Sequence, residues 1–428
     1  MPDKATIESQ IFVENPGGYA IIMAKAETEF FMEQTKFKIT KLACYSAYFT
    51  MSSVFCLPPL LFVIFHERYG VSWTLLGTLV LVNFCTQLAV DLLFTVFSKG
   101  YNIKKIVKTM PLITALGLGI YAVVPAIFPD AAYIGLLIGT VIFSVAAGLS
   151  EVLLSPIIAA IPSKDPQRDM SLLHSLYAFG VFTTVLVGTC FLKLFGPESW
   201  TYLTLLFAAL PVIPAVLFSR SMMPDMVSAE ASDHGKQSPR RTIGIALCVG
   251  CIFLGSCAEN TMSNWISSYM EAQLHMDKAV GDILGVAMFA ILLGLGRIAY
   301  AKWGKHVGRI LLVGMAGAAV CYVVAGLSSA VVPALIACVL TGVFTSMLWP
   351  GALLFMEENI PGAGVAAFAL MAAGGDLGAS VAPQLMGMVA DASGLQAGML
   401  VCSVFPILGV VLVLVTISYF KAVPIKKK

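Results

Sequence analysis

Asp91, Glu151, Glu259, Arg297 and Asp376 stand inside long apolar runs, and His174 stands near the start of another. If those runs cross a membrane, each charge costs at least ~2.5–3.5 kcal/mol on insertion scales, so it should face a water-filled cavity or a partner. Glu151, in "GLSEVLLSP" (148–156), is a carboxylate whose protonation its surroundings can tip. His174 precedes Tyr177 by three, so the two can share a helical face, and histidine titrates near neutrality. Glu151 and His174 are therefore the candidate proton-coupling residues. The plainer readings are a protonated acid bonded to a neighbouring helix and a satisfied histidine.

"AENTMSNW" (258–265) carries a second chemistry. Asn260 and Asn264 are four apart and share a face; Glu259 and Ser263 share the adjacent one, and Trp265 flanks them. Amides and a carboxylate beside an aromatic ring suit hydroxyls and the apolar face of a sugar ring. The alternative is hydrogen bonding between helices. Tyr48, Tyr177 and Trp349 are further candidates to line a binding cavity. Asn83, Gln87 and Asp91 recur every four residues, as a polar stripe that either lines a pathway or glues helices together. Asp91, Arg297 and Asp376 are candidate gate or ion-pair residues. The partner of Arg297 is open between Asp376, Asp91 and a helix C-terminus.

The elements that must position these residues are membrane helices. The chain is 58% hydrophobic and 12% charged, too little charge to keep a soluble protein of this size dissolved. Apolar runs of spanning length recur along nearly all of it. Spans are expected near 40–65, 72–97, 106–128, 131–161, 171–195 and 200–219. Six more follow near 242–270, 280–301, 309–327, 331–357, 364–390 and 396–420. The fold class is all-α: twelve transmembrane helices in two six-helix bundles. The domains are a cytoplasmic N-terminal segment (1–38), a first bundle (39–219), a cytoplasmic linker (220–241), a second bundle (242–422) and a basic tail (423–428). The N-terminal "AKAETEFFMEQTKFK" suggests a surface helix, and no cleavable signal peptide is visible.

Of the 26 Lys and Arg, only Arg68, Lys193 and Lys278 fall outside when both termini are cytoplasmic, and Arg297 lies within a span. That bias sets the orientation. The net charge of +2 gives no reason to expect nucleic acid. Cys248 and Cys251 form a lone CxxC in apolar helix, and no histidine pair has zinc-ligand spacing. No nucleophile–base pair points to an enzyme.

"GLSEVLLSP" and "GVFTSMLWP" (342–350) share Gly and Pro eight apart, and Asp91 and Arg297 each precede a Lys by eight. Such repeats suit two bundles related by a pseudo-two-fold axis, with a solute site between them. The chain resembles the major facilitator superfamily. "SKGYNIKKIVK" (98–108) looks like a degenerate form of that superfamily's signature loop, without its Asp, and "GRIAYAKWGKHVGR" (296–309) looks like its echo. Within the superfamily it resembles the fucose permease (fucose:proton symporter) family through "GLSEVLLSPIIAAIP" (148–162), "LLHSLYAFG" (172–180), "FLGSCAENTMSNWISSYM" (253–270) and "LGASVAPQLMGMVAD" (377–391).

The resemblance implies a secondary transporter whose first, fourth, seventh and tenth helices line a central cavity. It implies a proton-coupling acid at Glu151 and solute binding on the seventh helix. The relatives also have an acid in helix 1. Residues 40–65 have none; Tyr45, Tyr48 and Ser52 stand there instead, so a two-carboxylate scheme does not transfer intact. The expected function is proton-coupled symport of a small polar solute, a sugar or polyol. The alternative is export of drugs or metabolites by proton antiport. The expected partners are that solute and the lipid bilayer, and the expected protein is a functional monomer in the cell membrane, a bacterial inner membrane. No cofactor is called for beyond the proton gradient, with sodium left open.

Overall fold

The computed structural model describes residues 36–97, 102–224, 239–360 and 365–422. The expected N-terminal surface helix, the signature-loop residues 98–101, most of the linker, the turn 361–364 and the basic tail lie outside them.

Helix α1 runs Lys38–Leu60 and continues, bent by 45°, as Phe62–Tyr69. The bend follows Pro58 and Pro59, which cannot donate to the helical ladder. Next come α2 (Trp73–Phe97), α3 (Ile103–Ile127), α4 (Ala132–Ala160), α5 (Pro166–Phe195) and α6, in two pieces (Trp200–Ala209 and Val212–Arg220) broken at Pro211. The second half holds α7 (Pro239–Ser268, running into a π-helical turn at Tyr269–Gln273) and α8 (Lys278–Gly281, a π-helical stretch Asp282–Ala287, then Met288–Trp303). It ends with α9 (Val307–Leu327), α10 (Val331–Thr345 and Leu348–Asn359), α11 (Val365–Ser393) and α12 (Leu395–Cys402 and Val404–Ala422).

Ten of the described helices are long and apolar enough to cross a bilayer, eleven if the two pieces of α1 count as one span. The expected twelfth, α11, is 29 residues long but is not in that set. It carries Asp376, Gln384 and Asp391 and packs extensively on both α7 and α2. Large apolar side chains such as Leu116, Ile134, Val320 and Leu327 point outward, which suits lipid.

Glycines explain the closest approach. In "AAGGDLG" (372–378), a Cβ on Gly374 would meet Val249, one on Gly375 the ring of Trp349, and one on Gly378 the Phe253 carbonyl. α11 thereby lies flush against α7 and α10. The two halves meet along a seam where α2 packs on α11 and α5 meets α8.

Candidate functional site

The seam is sealed at one end, where α1 turns into α2. Asp391, in the last turn of α11, accepts from the backbone N–H of Trp73 (2.8 Å) and Thr74 (2.7 Å). A carboxylate from one half thus caps a helix N-terminus of the other, where the helix dipole favours negative charge. Gly387 leaves room for the Trp73 carbonyl, and Trp73 stacks on His66 with ring centroids 4.1 Å apart. At the α5–α8 edge, Thr189 Oγ1 donates to Asp282 at 3.1 Å, and Lys193 lies 3.5 Å from Asp277. Asp282 is buried, also accepts from Ser267, and lies 3.5 Å from Lys278, which pairs with Glu271 at 2.9 Å. The backbone N–H of Val280 holds the Asp277 carboxyl below its ordinary range. Sequence reasoning passed over Asp391 and Asp282. The contacts that join the halves, Asp391 to Trp73 and Asp282 to Thr189, lie 318 and 93 residues apart in the chain, and no local pattern marks them.

Trp265 belongs to this seal. Its ring is fully buried, Nε1 donates to the Pro383 carbonyl at 3.1 Å, and Phe62 and Trp73 pack on it at 5.4 and 6.0 Å. It therefore does not stand open beside the amides as a stacking platform. Asn260 Nδ2 bonds Ser256 Oγ at 3.0 Å and Asn264 Nδ2 bonds the Asn260 carbonyl at 2.8 Å, so both amides spend donors on their own helix. Asn264 also lines a small cleft with Phe62, Thr140 and Asn83. Asn83 Oδ1 accepts from Gln87 (3.0 Å) and Ser144 (2.6 Å), which ties α2 to α4 in a buried network.

Toward the other end, where α1 begins, the side chains of Glu151, His174 and Arg297 are exposed. Arg297 sits within the second half. Its NH2 group donates to Glu259 Oε1 at 3.2 Å and its Nε to the Ser346 carbonyl at 3.0 Å. Of the partners left open by the sequence, the structure selects the helix C-terminus, since Ser346 caps the end of Val331–Thr345; Glu259, which was not among them, takes the charge. The Ser346 carbonyl is available because Pro350, four residues on, has no N–H to offer it. Glu259 Oε2 is buried with no hydrogen-bond partner among the described residues.

The first half differs. Tyr48 OH and His174 Nδ1 are 3.2 Å apart. Tyr48 and Tyr177 meet edge-on at 6.0 Å, and Phe55 continues the wall at 5.9 Å. Glu151 lies within electrostatic reach of both tyrosines and of Asp91 and Asp376. Among the described residues it makes no ion pair or hydrogen bond. Trp349 is half-buried against Gly375. No group of three metal-ligating side chains occurs among the described residues.

A family model, Major Facilitator Superfamily, matches residues 43–363 and 251–428. Among solved structures, a bacterial homolog of the human lysosomal transporter Spinster, inward-facing and occupied, superposes with TM-score 0.73 at 13% identity, over 91% of this chain and 98% of that one. The nucleoside transporter NupG gives 0.65 at 15% identity, over 90% and 98%. The E. coli fucose:proton symporter FucP gives 0.57 at 14%, over 89% and 99%. At such identities the likeness is one of fold. No curated protein matches significantly by sequence.

Proposed function

The chain belongs to the Major Facilitator Superfamily and is a secondary transporter, and we propose that it moves a small polar solute by proton-coupled alternating access. One observation carries this reading. A seam sealed at one end leaves Glu151 exposed toward the other without a basic partner among the described residues, while Glu259 is held by Arg297. An accessible carboxylate can load and release a proton, and neutralisation lowers the cost of moving it through an apolar surround. Glu151 carries the coupling proton, with His174 beside it through Tyr48. Glu259, Asn260 and Asn264 meet the solute when the seam opens at its sealed end. With both termini cytoplasmic, the present state faces inward.

A sugar or polyol transported by symport with protons fits the amides of α7. Export by proton antiport is the second reading, favoured by Glu151, an acid that no basic side chain among the described residues neutralises. The protein works as a monomer in the cell membrane. In proteoliposomes, an inward proton gradient should drive accumulation of a labelled sugar or polyol under symport. Loss of preloaded organic cation under the same gradient would favour antiport. An impermeant reagent should fail to label a cysteine placed at Ser232 in intact cells; labelling from outside would reverse the orientation.

A further inference from the structure

We propose that one water molecule, held between the two halves in the cleft that Asn264 lines, completes the seal. The inference goes beyond the transport reading and does not depend on which solute is carried.

The cleft is built where α1 bends. Pro58 and Pro59 have no N–H, so the carbonyls of Val54 and Phe55, four residues earlier, have no helical donor. Both residues line the cleft, with Asn83 of α2, Thr140 of α4 and, from the other half, Asn264 of α7. Asn83 and Asn264 are only 7% and 8% exposed, and each keeps half of its amide uncommitted. Asn83 spends Oδ1 on Gln87 and Ser144, and its Nδ2 has no hydrogen-bond partner among the described residues. Asn264 spends Nδ2 on the Asn260 carbonyl, and its Oδ1 has no partner among them. One half therefore offers a donor and the other an acceptor. Thr140 Oγ1 donates to the Leu136 carbonyl and keeps lone pairs to offer.

Size and polarity choose the occupant. The free volume is about 10 Å³, the space of one water-sized sphere, and a buried water needs two to four polar partners. A broken helix with freed carbonyls is also where secondary transporters hold sodium. Here a donor stands among the lining groups and a carboxylate does not, and both facts weigh against a cation. A water accepts from Asn83 and donates to Asn264 and to Thr140 or a freed carbonyl. It serves groups that are costly to bury unpaired, and its bonds join the halves. Opening that end of the seam must break them.

The test uses the purified full-length protein. An experimental map of the sealed state, at a resolution that shows other buried waters, should place one oxygen within about 3.2 Å of both Asn83 Nδ2 and Asn264 Oδ1. Thermal unfolding gives a second measurement. The two amides share no direct hydrogen bond, so Asn83→Ala and Asn264→Ala would lower the melting temperature additively if nothing joined them. With the water between them, the double variant should lose clearly less than the sum of the single losses. A dry cleft in such a map, an oxygen that touches one half only, or single losses that add in full would each overturn the proposal. So would a rise in melting temperature in sodium chloride over choline chloride that is lost in Asn264→Ala, since that would put a cation in the cleft.

Discussion

The two halves share a helical plan and carry opposite charges at corresponding places. "GLSEVLLSP" in α4 and "GVFTSMLWP" in α10 each end in a proline that strips a carbonyl four residues earlier, Val152 or Ser346, of its helical donor. In the second half Arg297, on α8, fills the vacancy at Ser346 and neutralises Glu259 as well. The corresponding position in α2 is Asp91, a carboxyl in place of a guanidinium. One half is thereby closed on itself electrostatically, while the other presents Glu151 to whatever enters the seam. A duplicated scaffold has been divided into a braced half and a receptive one.

The largest way to break this comparison is Arg297→Ala. It leaves Glu259 half-buried with neither oxygen served. Losing one partner of a buried pair costs about 3–5 kcal/mol, but the Arg297 side chain is 44% exposed, so about 1–3 kcal/mol of stability is expected. Adding Glu259→Gln should recover part of the loss in thermal unfolding. No recovery would mean that the charge of Glu259 is not what Arg297 serves.

The helices were legible because apolar length is a strong local signal. The grouping of Glu151, Tyr48, His174 and Tyr177 was partly legible, from spacing on α5 and from the acid before Pro156. For Arg297 a helix C-terminus was among the expected partners and is met at Ser346, but the full pairing with Glu259 was not legible. It depends on a carbonyl released by Pro350 on one helix and an acid on another, and only packing joins them. Trp265 looked like a binding platform because it follows two amides in sequence; its neighbours in space are Phe62 and Trp73, far off in the chain.

A smaller effect concerns the seal. Asp391→Ala removes a cap that joins the halves, which costs about 1 kcal/mol for a helix N-cap. The loss falls only on the sealed state, so the population with that end open should rise about five-fold. Distance measurements between spin labels on the α1–α2 and α11–α12 turns would report it. An unchanged distribution would make the cap incidental.

The finest test sets the two prolines against each other. Pro350→Ala restores an N–H that competes with Arg297 for the Ser346 carbonyl, so its double-mutant cycle with Arg297→Ala should show a coupling of about 0.5–1 kcal/mol. Pro156→Ala with Asp91→Ala should show a coupling near zero. Equal couplings would erase the distinction between the halves.

The division of roles is tested most directly by transport itself. Wild type, Glu151→Gln and Glu259→Gln, reconstituted in proteoliposomes, should be compared for gradient-driven movement and for counterflow of one labelled solute that the wild type carries. Glu151→Gln imitates an acid that never releases its proton, so net proton-driven movement should vanish. Counterflow should persist at high solute, because exchange needs no net deprotonation. Glu259→Gln should weaken both at low solute through reduced affinity, by roughly 1–3 kcal/mol for a lost hydrogen bond to a charged group. Gradient-driven movement that survives in Glu151→Gln and disappears in Glu259→Gln, with counterflow kept, would place the proton in the braced half and contradict the account.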